Sequence, residues 1–419
     1  MDAAVPQEAN MDRRKEELRL STAAIHAGFK IRDSYGAAAE PMFPSSTYTF
    51  SSAEAAAAAF QNPFGETSEY IYSRVTHPNA VMLEDRLSAI EPGAGEAAIF
   101  SSGLAAIYTT LVTHLPKGGR LVCLNPVYGG THHQLESFFK SNPQYSYSEF
   151  DARQQEWSFP PDTALVFFEA PTNPTLTVID IDAVARAAKK ANPDALVMVD
   201  NTFMGALQTP FLVSSFVDLV VYSCTKFMGG HSNVLSGAVV ARKGRDDLAK
   251  RVKETRVALG NILAPFECWQ LLNAIKTYAL RMRIQAKGAQ RVAEALTGHP
   301  LLERVNYPTL WDRKDKDRQV FEKQCTDPGA ILGLYLKDFD RERIFRFLNI
   351  LKERHHILLA VSLGGVESLI CHPATTTHAS LSEEDRRRYG ITENLLRLSV
   401  GLEEPDVLIE DLRYALGRA

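Results

Sequence analysis

From Ala97 to about Ala241 the chain alternates short apolar runs with longer amphipathic stretches, and few folds can use that pattern. Parallel strands need a covering crossover between them, so the strands read apolar throughout while the crossovers read at helical period. The runs are Ala97–Phe100, Arg120–Leu124, Ala164–Phe168, Ala195–Val199, Leu219–Tyr222 and Gly237–Ala241. Between them, Leu104–Leu115, Thr131–Ser141 and Ile181–Ala191 read as helices. The expectation is an α/β fold with a mostly parallel central sheet covered on both faces. In such a sheet the ligand sits beyond the carboxyl ends of the strands. Those ends read Ser101-Ser102-Gly103-Leu104, Asn125 to Gly130, Glu169 to Pro174, Asp200-Asn201-Thr202 and Ser223-Cys224-Thr225-Lys226. Glycines, hydroxyls, an aspartate, a tyrosine and a lysine thus converge on one rim.

Residues 1–17 read as a polar tail. Ile25–Phe50 carries turn residues and no periodic core, so it has to lie on another domain or another subunit. Ser51 or Ser52 caps an alanine-rich helix, and Tyr70–Ala80 leads into a helix over Val81–Ile90. A long helical stretch, Pro265–Leu296, bridges to a second unit. That unit has strand signals at Ala330–Leu336, Leu358–Ala360 and Leu395–Val400, with helices at Asp340–Arg354 and Pro405–Leu416.

A net charge of −4 over 419 residues gives no electrostatic case for nucleic acid or an anionic membrane. No run approaches the roughly 18 apolar residues needed to span a bilayer. The five scattered cysteines include no CxxC pair, which fits a reducing compartment better than a disulfide framework or zinc site. A cytoplasmic enzyme is expected.

Each rim residue has an ordinary reading and a chemical one. Lys226 lies between the apolar runs Leu219–Tyr222 and Leu235–Val240; it is either a strand-end lysine reaching solvent or a desolvated amine suited to Schiff-base chemistry. Ser102, Gly103 and Leu104 open a helix and so form either a simple serine cap or a phosphate site on free N–H groups. Ser223 and Thr225 either bond their own backbone or add two hydroxyl donors to that phosphate. Asp200 either caps the next helix or partners a protonated pyridine nitrogen. Tyr128 is either a core tyrosine or a ring stacked on a flat cofactor with a hydroxyl to donate. Tyr72 and Arg74 suit a phosphate dianion or a solvated face. Arg397, among leucines, holds either a substrate carboxylate or a protein one. His231 and His378 lack metal-ligand spacing, so no metal is expected, and Cys224 reads as a packed thiol. Neither GxxxxGK[ST] nor GxGxxG is present.

In order, YIYSR, SSGLAAI, VYGGTH, EAPTNPTLTVIDI, VDNTF, SCTKFMGGHSNVLSG, SLGGVESLICHPATTTH and GITENLLRLSVGLE resemble the pyridoxal-phosphate (PLP) enzymes of cysteine and methionine metabolism. The likeness runs from about Thr22 to Leu416. It implies an aspartate-aminotransferase-like fold, PLP as cofactor and a homotetramer built from two tight dimers with active sites shared across a subunit interface. It divides the chain into an arm over 1–65 that contacts a neighbouring subunit, a large PLP-binding domain over 66–262 and a C-terminal domain over 263–419. By position, Lys226 matches the Schiff-base lysine, Asp200 the partner of the pyridine nitrogen and Tyr128 the ring stacked on the cofactor. Ser102, Gly103, Leu104, Ser223 and Thr225 match the phosphate cradle, which Tyr72 and Arg74 reach from the neighbouring subunit. Asn173, Ser362 and Arg397 match the positions that hold the amino-acid head of the substrate.

The departures bear on substrate choice. Leu104 replaces a common methionine where only the backbone N–H matters, and Phe227 and Asn233 replace a frequent tyrosine and aspartate. Gly130 stands where many bacterial methionine γ-lyases carry cysteine. Val361 stands where cystathionine-handling members usually carry glutamate, so no charge is offered to a distal ammonium. The resemblance implies γ-elimination from methionine or a related homoserine derivative, giving 2-oxobutanoate, ammonia and the released γ-group. Lys226, once displaced by the substrate amine, would take the α-proton, and Tyr128 would help protonate the departing group. The alternatives are γ-replacement of the O-acylhomoserine sulfhydrylase or cystathionine γ-synthase type, a γ-lyase on a non-sulfur substrate such as canavanine and, more remotely, an aminotransferase.

Overall fold

The computed structural model describes residues 19–30, 36–65 and 69–419. The tail expected over 1–17 lies outside the described residues. A seven-stranded sheet is built from β1 (Ala94–Phe100), β2 (Arg120–Asn125), β3 (Ser146–Asp151), β4 (Thr163–Glu169), β5 (Leu196–Asp200), β6 (Leu219–Tyr222) and β7 (Gly237–Arg242). Their order is β1-β7-β6-β5-β4-β2-β3. Pairings from β3 to β6 are parallel, and β7 alone runs antiparallel to both of its neighbours.

Alternation along each strand feeds two separate cores. Val122, Leu124, Val166, Phe168, Val197, Val199 and Val220 face one core, while Leu121, Cys123, Leu165, Phe167, Met198, Leu219 and Val221 face the other. Burial on both faces is why these strands read as continuous apolar runs. A five-stranded sheet follows, made of β8 (Leu302–Asn306), β9 (Ile331–Leu336), β10 (Ile357–Leu359), β11 (Ser368–Cys371) and β12 (Leu395–Ser399), in the order β10-β11-β12-β9-β8. It has its own core, which includes Leu334, Phe347, Ile370 and Leu398. Among the described residues no helix is long and apolar enough to cross a membrane.

The structure corrects the sequence reading in three places. Three strands, β3, β8 and β11, go beyond the expected set. The stretch Pro265–Leu296 is two helices, Pro265–Ile275 and Tyr278–Leu296. The break is held by Arg281, whose guanidinium donates to the carbonyls of Phe227 (2.7 Å), Met228 (3.0 Å) and Ala274 (3.0 Å). The second strand signal of the second unit, Leu358–Ala360, is displaced by one residue, to Ile357–Leu359. The arm packs on its own chain at Glu40, which is buried and ion-paired with Arg86 (2.6 Å) and Lys276 (2.5 Å).

Candidate active site

The carboxyl ends of β1, β2, β4, β5 and β6 open on one edge of the large sheet, and a cavity of about 230 Å³ lies there. Leu104, Tyr128, Asn173, Asp200, Lys226 and Arg397 all line it. Ser102, Gly103, Ser223, Thr225, Ser362 and Val361 line it too. Tyr72 and Arg74 do not. Both are exposed, and Arg74 donates to the Val257 carbonyl at 3.0 Å.

Two glycines let the rim close up. A Cβ on Gly103 would stand 2.9 Å from Ser223 Cβ, so the start of the helix Gly103–His114 rests directly on the end of β6. A Cβ on Gly237 would meet the Ser102 carbonyl oxygen at 2.2 Å, so only glycine lets β7 begin there. The Ser102 hydroxyl accepts the Ala105 N–H at 3.1 Å as the helix cap, leaving the Gly103 and Leu104 N–H groups in the unsatisfied first turn. Thr225 Oγ1 donates to the Ser236 carbonyl (3.1 Å) and accepts the Ser236 N–H (2.9 Å), which anchors the loop that carries Lys226.

Lys226 Nζ donates to Ser362 Oγ at 2.7 Å. Burial, reinforced by the positive charge of Arg397, pushes this amine down to about 8. Ser362 has φ = 92°, a left-handed conformation that costs a non-glycine residue about 1–3 kcal/mol. Its carbonyl accepts Arg397 NH2 at 2.6 Å, and Arg397 NH1 donates to Asn173 Oδ1 at 2.9 Å. Arg397 Nε is buried and has no partner among the described residues, so the guanidinium keeps an unmet donor in the site. His378 is buried, and burial together with Arg397 pushes it down to about 3, so it stays neutral.

Asp200 closes β5, and the Thr202 N–H donates to it at 2.9 Å. Burial holds its carboxyl above the ordinary range. Thr202 Oγ1 in turn accepts the Ser223 N–H at 2.8 Å. Glu169, which the sequence reading left unassigned, closes β4 and pairs with Asp200 in the sheet register. It is 6% exposed and accepts the N–H groups of Tyr128 (2.6 Å) and Asn173 (3.3 Å). The signal was present, since an acid ends the run Leu165–Glu169 just as Asp200 ends its own.

Beneath the rim, Glu91 is buried and accepts a hydrogen bond from Tyr222, whose hydroxyl also accepts one from Asn201 Nδ2 at 2.9 Å. Burial pushes the Glu91 carboxyl up to about 8. Between pH 4.5 and about 8 the native state therefore binds a proton that the unfolded chain lacks, so this group's stabilising share is lost as pH rises through that window. Glu91→Gln keeps an acceptor for Tyr222 and cannot ionise. Its unfolding free energy is expected to gain on the wild type's between pH 5 and 8.5, by on the order of a few kcal/mol. Melting curves at the two pH values check this.

The site's chemistry fits PLP: an amine poised near neutrality, a carboxylate for a ring nitrogen, an aromatic ring at the mouth and free helix N–H groups for a phosphate. Residues 21–417 match the family model described as Cys/Met metabolism PLP-dependent enzyme. An L-methionine γ-lyase of Fusobacterium nucleatum is 37% identical over 95% of this chain and 98% of its own length. A cystathionine β-lyase of Bacillus subtilis is 35% identical over 96% and 97%. A Campylobacter jejuni structure, assigned as an O-acetylhomoserine (thiol)-lyase, superposes with a TM-score of 0.86 at 31% identity and covers 95% of this chain and all of that one. It carries N'-pyridoxyl-lysine-5'-monophosphate, and the solved neighbours share the type I PLP fold. With the pocket built for that cofactor and the likeness spanning both sheets, the chain belongs to the Cys/Met metabolism PLP-dependent enzymes, a family of lyases and transferases.

Proposed function

We propose that this enzyme eliminates an uncharged γ-group from an L-amino acid, methionine or a related homoserine derivative, to give 2-oxobutanoate, ammonia and the released group. The observation that carries the reading is the apolar character of the outer pocket. Leu235 and Val361 line it, and no acid stands at position 361 to meet a distal ammonium. A relative named L-methionine γ-lyase supports the same direction.

PLP, when bound, supplies an electron sink for the substrate's α-carbon. The chain's residues do the rest. Arg397 and Asn173 take the α-carboxylate. Lys226 anchors the cofactor and, once freed, moves the α-proton, a role suited to an amine near pH 8. Asp200 keeps the ring nitrogen protonated. The Tyr128 hydroxyl hands a proton to the departing γ-group. The Gly103 and Leu104 N–H groups with the Ser102 and Ser223 hydroxyls take the phosphate, and Thr225 joins them when its hydroxyl turns from the Ser236 carbonyl. Tyr72 and Arg74, outside the chain's own pocket, complete the cradle of a neighbouring subunit in a homotetramer.

A second reading, γ-replacement by a thiol, is favoured by the open mouth, where Tyr128, Leu235 and Val361 are 42%, 62% and 55% exposed. Methionine, O-acetylhomoserine, cystathionine and canavanine, each assayed with and without added thiol, separate the readings. Release of 2-oxobutanoate that persists with thiol supports elimination, while a thiol-dependent homoserine product at its expense supports replacement. Val361→Glu is expected to raise kcat/KM for cystathionine and lower it for methionine, each by roughly ten-fold, as steady-state kinetics on both substrates will read.

A further inference from the structure

We propose that Glu169 is a positioning residue: one buried carboxyl on the pocket floor clamps both the loop that presents Tyr128 and the loop that presents Asn173. The inference rests on the PLP reading of this pocket. Its basis is the sheet order, in which β4 lies between β2 and β5. The end of β4 is therefore the one strand end that touches the Tyr128 loop after β2, its own loop with Asn173, and Asp200 at the end of β5.

Each Glu169 oxygen serves a different loop. Oε1 takes the Tyr128 N–H at 2.6 Å and Oε2 the Asn173 N–H at 3.3 Å. The Tyr128 side chain makes no cap for the following helix, Gly129–Leu135, and Glu169 holds that turn from outside it. From Asn173 the chain of bonds runs on through Oδ1 to Arg397 NH1, from Arg397 NH2 to the Ser362 carbonyl, and from Ser362 Oγ to Lys226. One carboxyl thus roots the ring at the mouth, the guanidinium and the amine in a single hydrogen-bonded frame.

The groups facing Glu169 also fix its charge. Asp200 is the acid paired with it in the sheet register, and the cations of the pocket are turned elsewhere, Arg397 to Asn173 and Ser362, and Lys226 to Ser362. Among the described residues no lysine or arginine pairs with Glu169. Burial and the Asp200 charge push the Glu169 carboxyl up, and with no cation beside it the clamp is expected to work in its protonated form, with Asp200 as the anion toward the cofactor ring. A protonated carboxyl can still accept one N–H on each oxygen.

Two variants, both loaded with PLP, test this. Glu169→Gln offers one carbonyl oxygen and one NH2, so it keeps the shorter bond to Tyr128 and sets donor against donor at Asn173. KM for the amino acid is expected to rise about ten-fold, with kcat, PLP affinity and the visible circular dichroism of bound PLP changed less than about three-fold. Glu169→Ala loses both bonds, so PLP affinity and the dichroic band fall together with the rise in KM. The infrared difference between wild type and Glu169→Gln at neutral pH should show the loss of one protonated carboxyl band. A Gln variant with wild-type KM, an Ala variant with wild-type PLP affinity and dichroism, or a difference spectrum that loses a carboxylate band instead would each overturn the proposal. If Glu169→Gln does not fold, Glu169→Asp replaces it: wild-type KM and PLP affinity in that variant would overturn the clamp, and a rise in both KM and PLP Kd would support it. Wild-type protein that fails to bind PLP would refute the reading of the pocket itself.

Discussion

Lys226→Ala is expected to lower kcat for γ-group release by about 10⁴-fold while leaving the fold as stable as the wild type or slightly more so. Two roles are lost at once, the covalent hold on PLP and the movement of the α-proton. Stability should not fall, because the amine sits desolvated at the strand end with the Ser362 hydroxyl as its acceptor, an arrangement that costs the folded state. Reduction with borohydride followed by peptide mapping provides the check. Wild-type protein should carry a pyridoxyl group on the peptide containing Lys226, and the variant should carry none anywhere. A lysine kept only for structure would show the opposite pattern, with lost stability and retained labelling.

Arg397→Ala has the second large effect, an expected fall in kcat/KM of about 10³-fold borne mainly by KM. The guanidinium is 2% exposed, its NH1 and NH2 are taken by Asn173 and the Ser362 carbonyl, and its Nε is unmet among the described residues. Removing it leaves a buried substrate carboxylate with only the neutral amide of Asn173 and no cation. A second consequence follows from its field. Arg397 adds to the burial that pushes Lys226 down to about 8, so without it the amine moves back upward. The rate at which cofactor-free protein reacquires PLP should rise with pH through about 8 in the wild type and through a more alkaline midpoint in Arg397→Ala. Stopped-flow absorbance against pH reads the two midpoints. Coincident midpoints would separate the two residues electrostatically.

The larger sheet was legible because its central strands are buried on both faces and leave little room for polar residues; Leu219–Tyr222 was read at its observed bounds. The edge strand β3, Ser-Tyr-Ser-Glu-Phe-Asp, was missed because every residue in it is only half-buried, so no apolar run forms. β8, Leu-Glu-Arg-Val-Asn at the other sheet's edge, buries only Leu302 and exposes Glu303 and Arg304, so it too forms no apolar run, and β11 is only four residues long. The helix break before Tyr278 carries neither glycine nor proline; tertiary bonds from Arg281 impose it, and local sequence cannot show that.

At the site, Lys226, Asp200 and Arg397 stood out because a charge in an apolar context needs a reason. Their assembly into one cavity is geometric, and so is the link from Arg397 through Ser362 to Lys226, whose members are far apart in sequence. Glu169 carried the same local signal as Asp200, but its partners are backbone N–H groups, which no residue identity reports. Ser102 was read both as cap and as phosphate ligand, and its hydroxyl is seen engaged as the cap.

The carbon skeleton of the keto acid made from the best γ-substituted substrate tests the central claim most directly. Elimination predicts 2-oxobutanoate, formed in equal amount with ammonia and with the γ-group released free. A keto acid that still carries its γ-group would mean that the amine alone had left, and the γ-lyase account would be wrong.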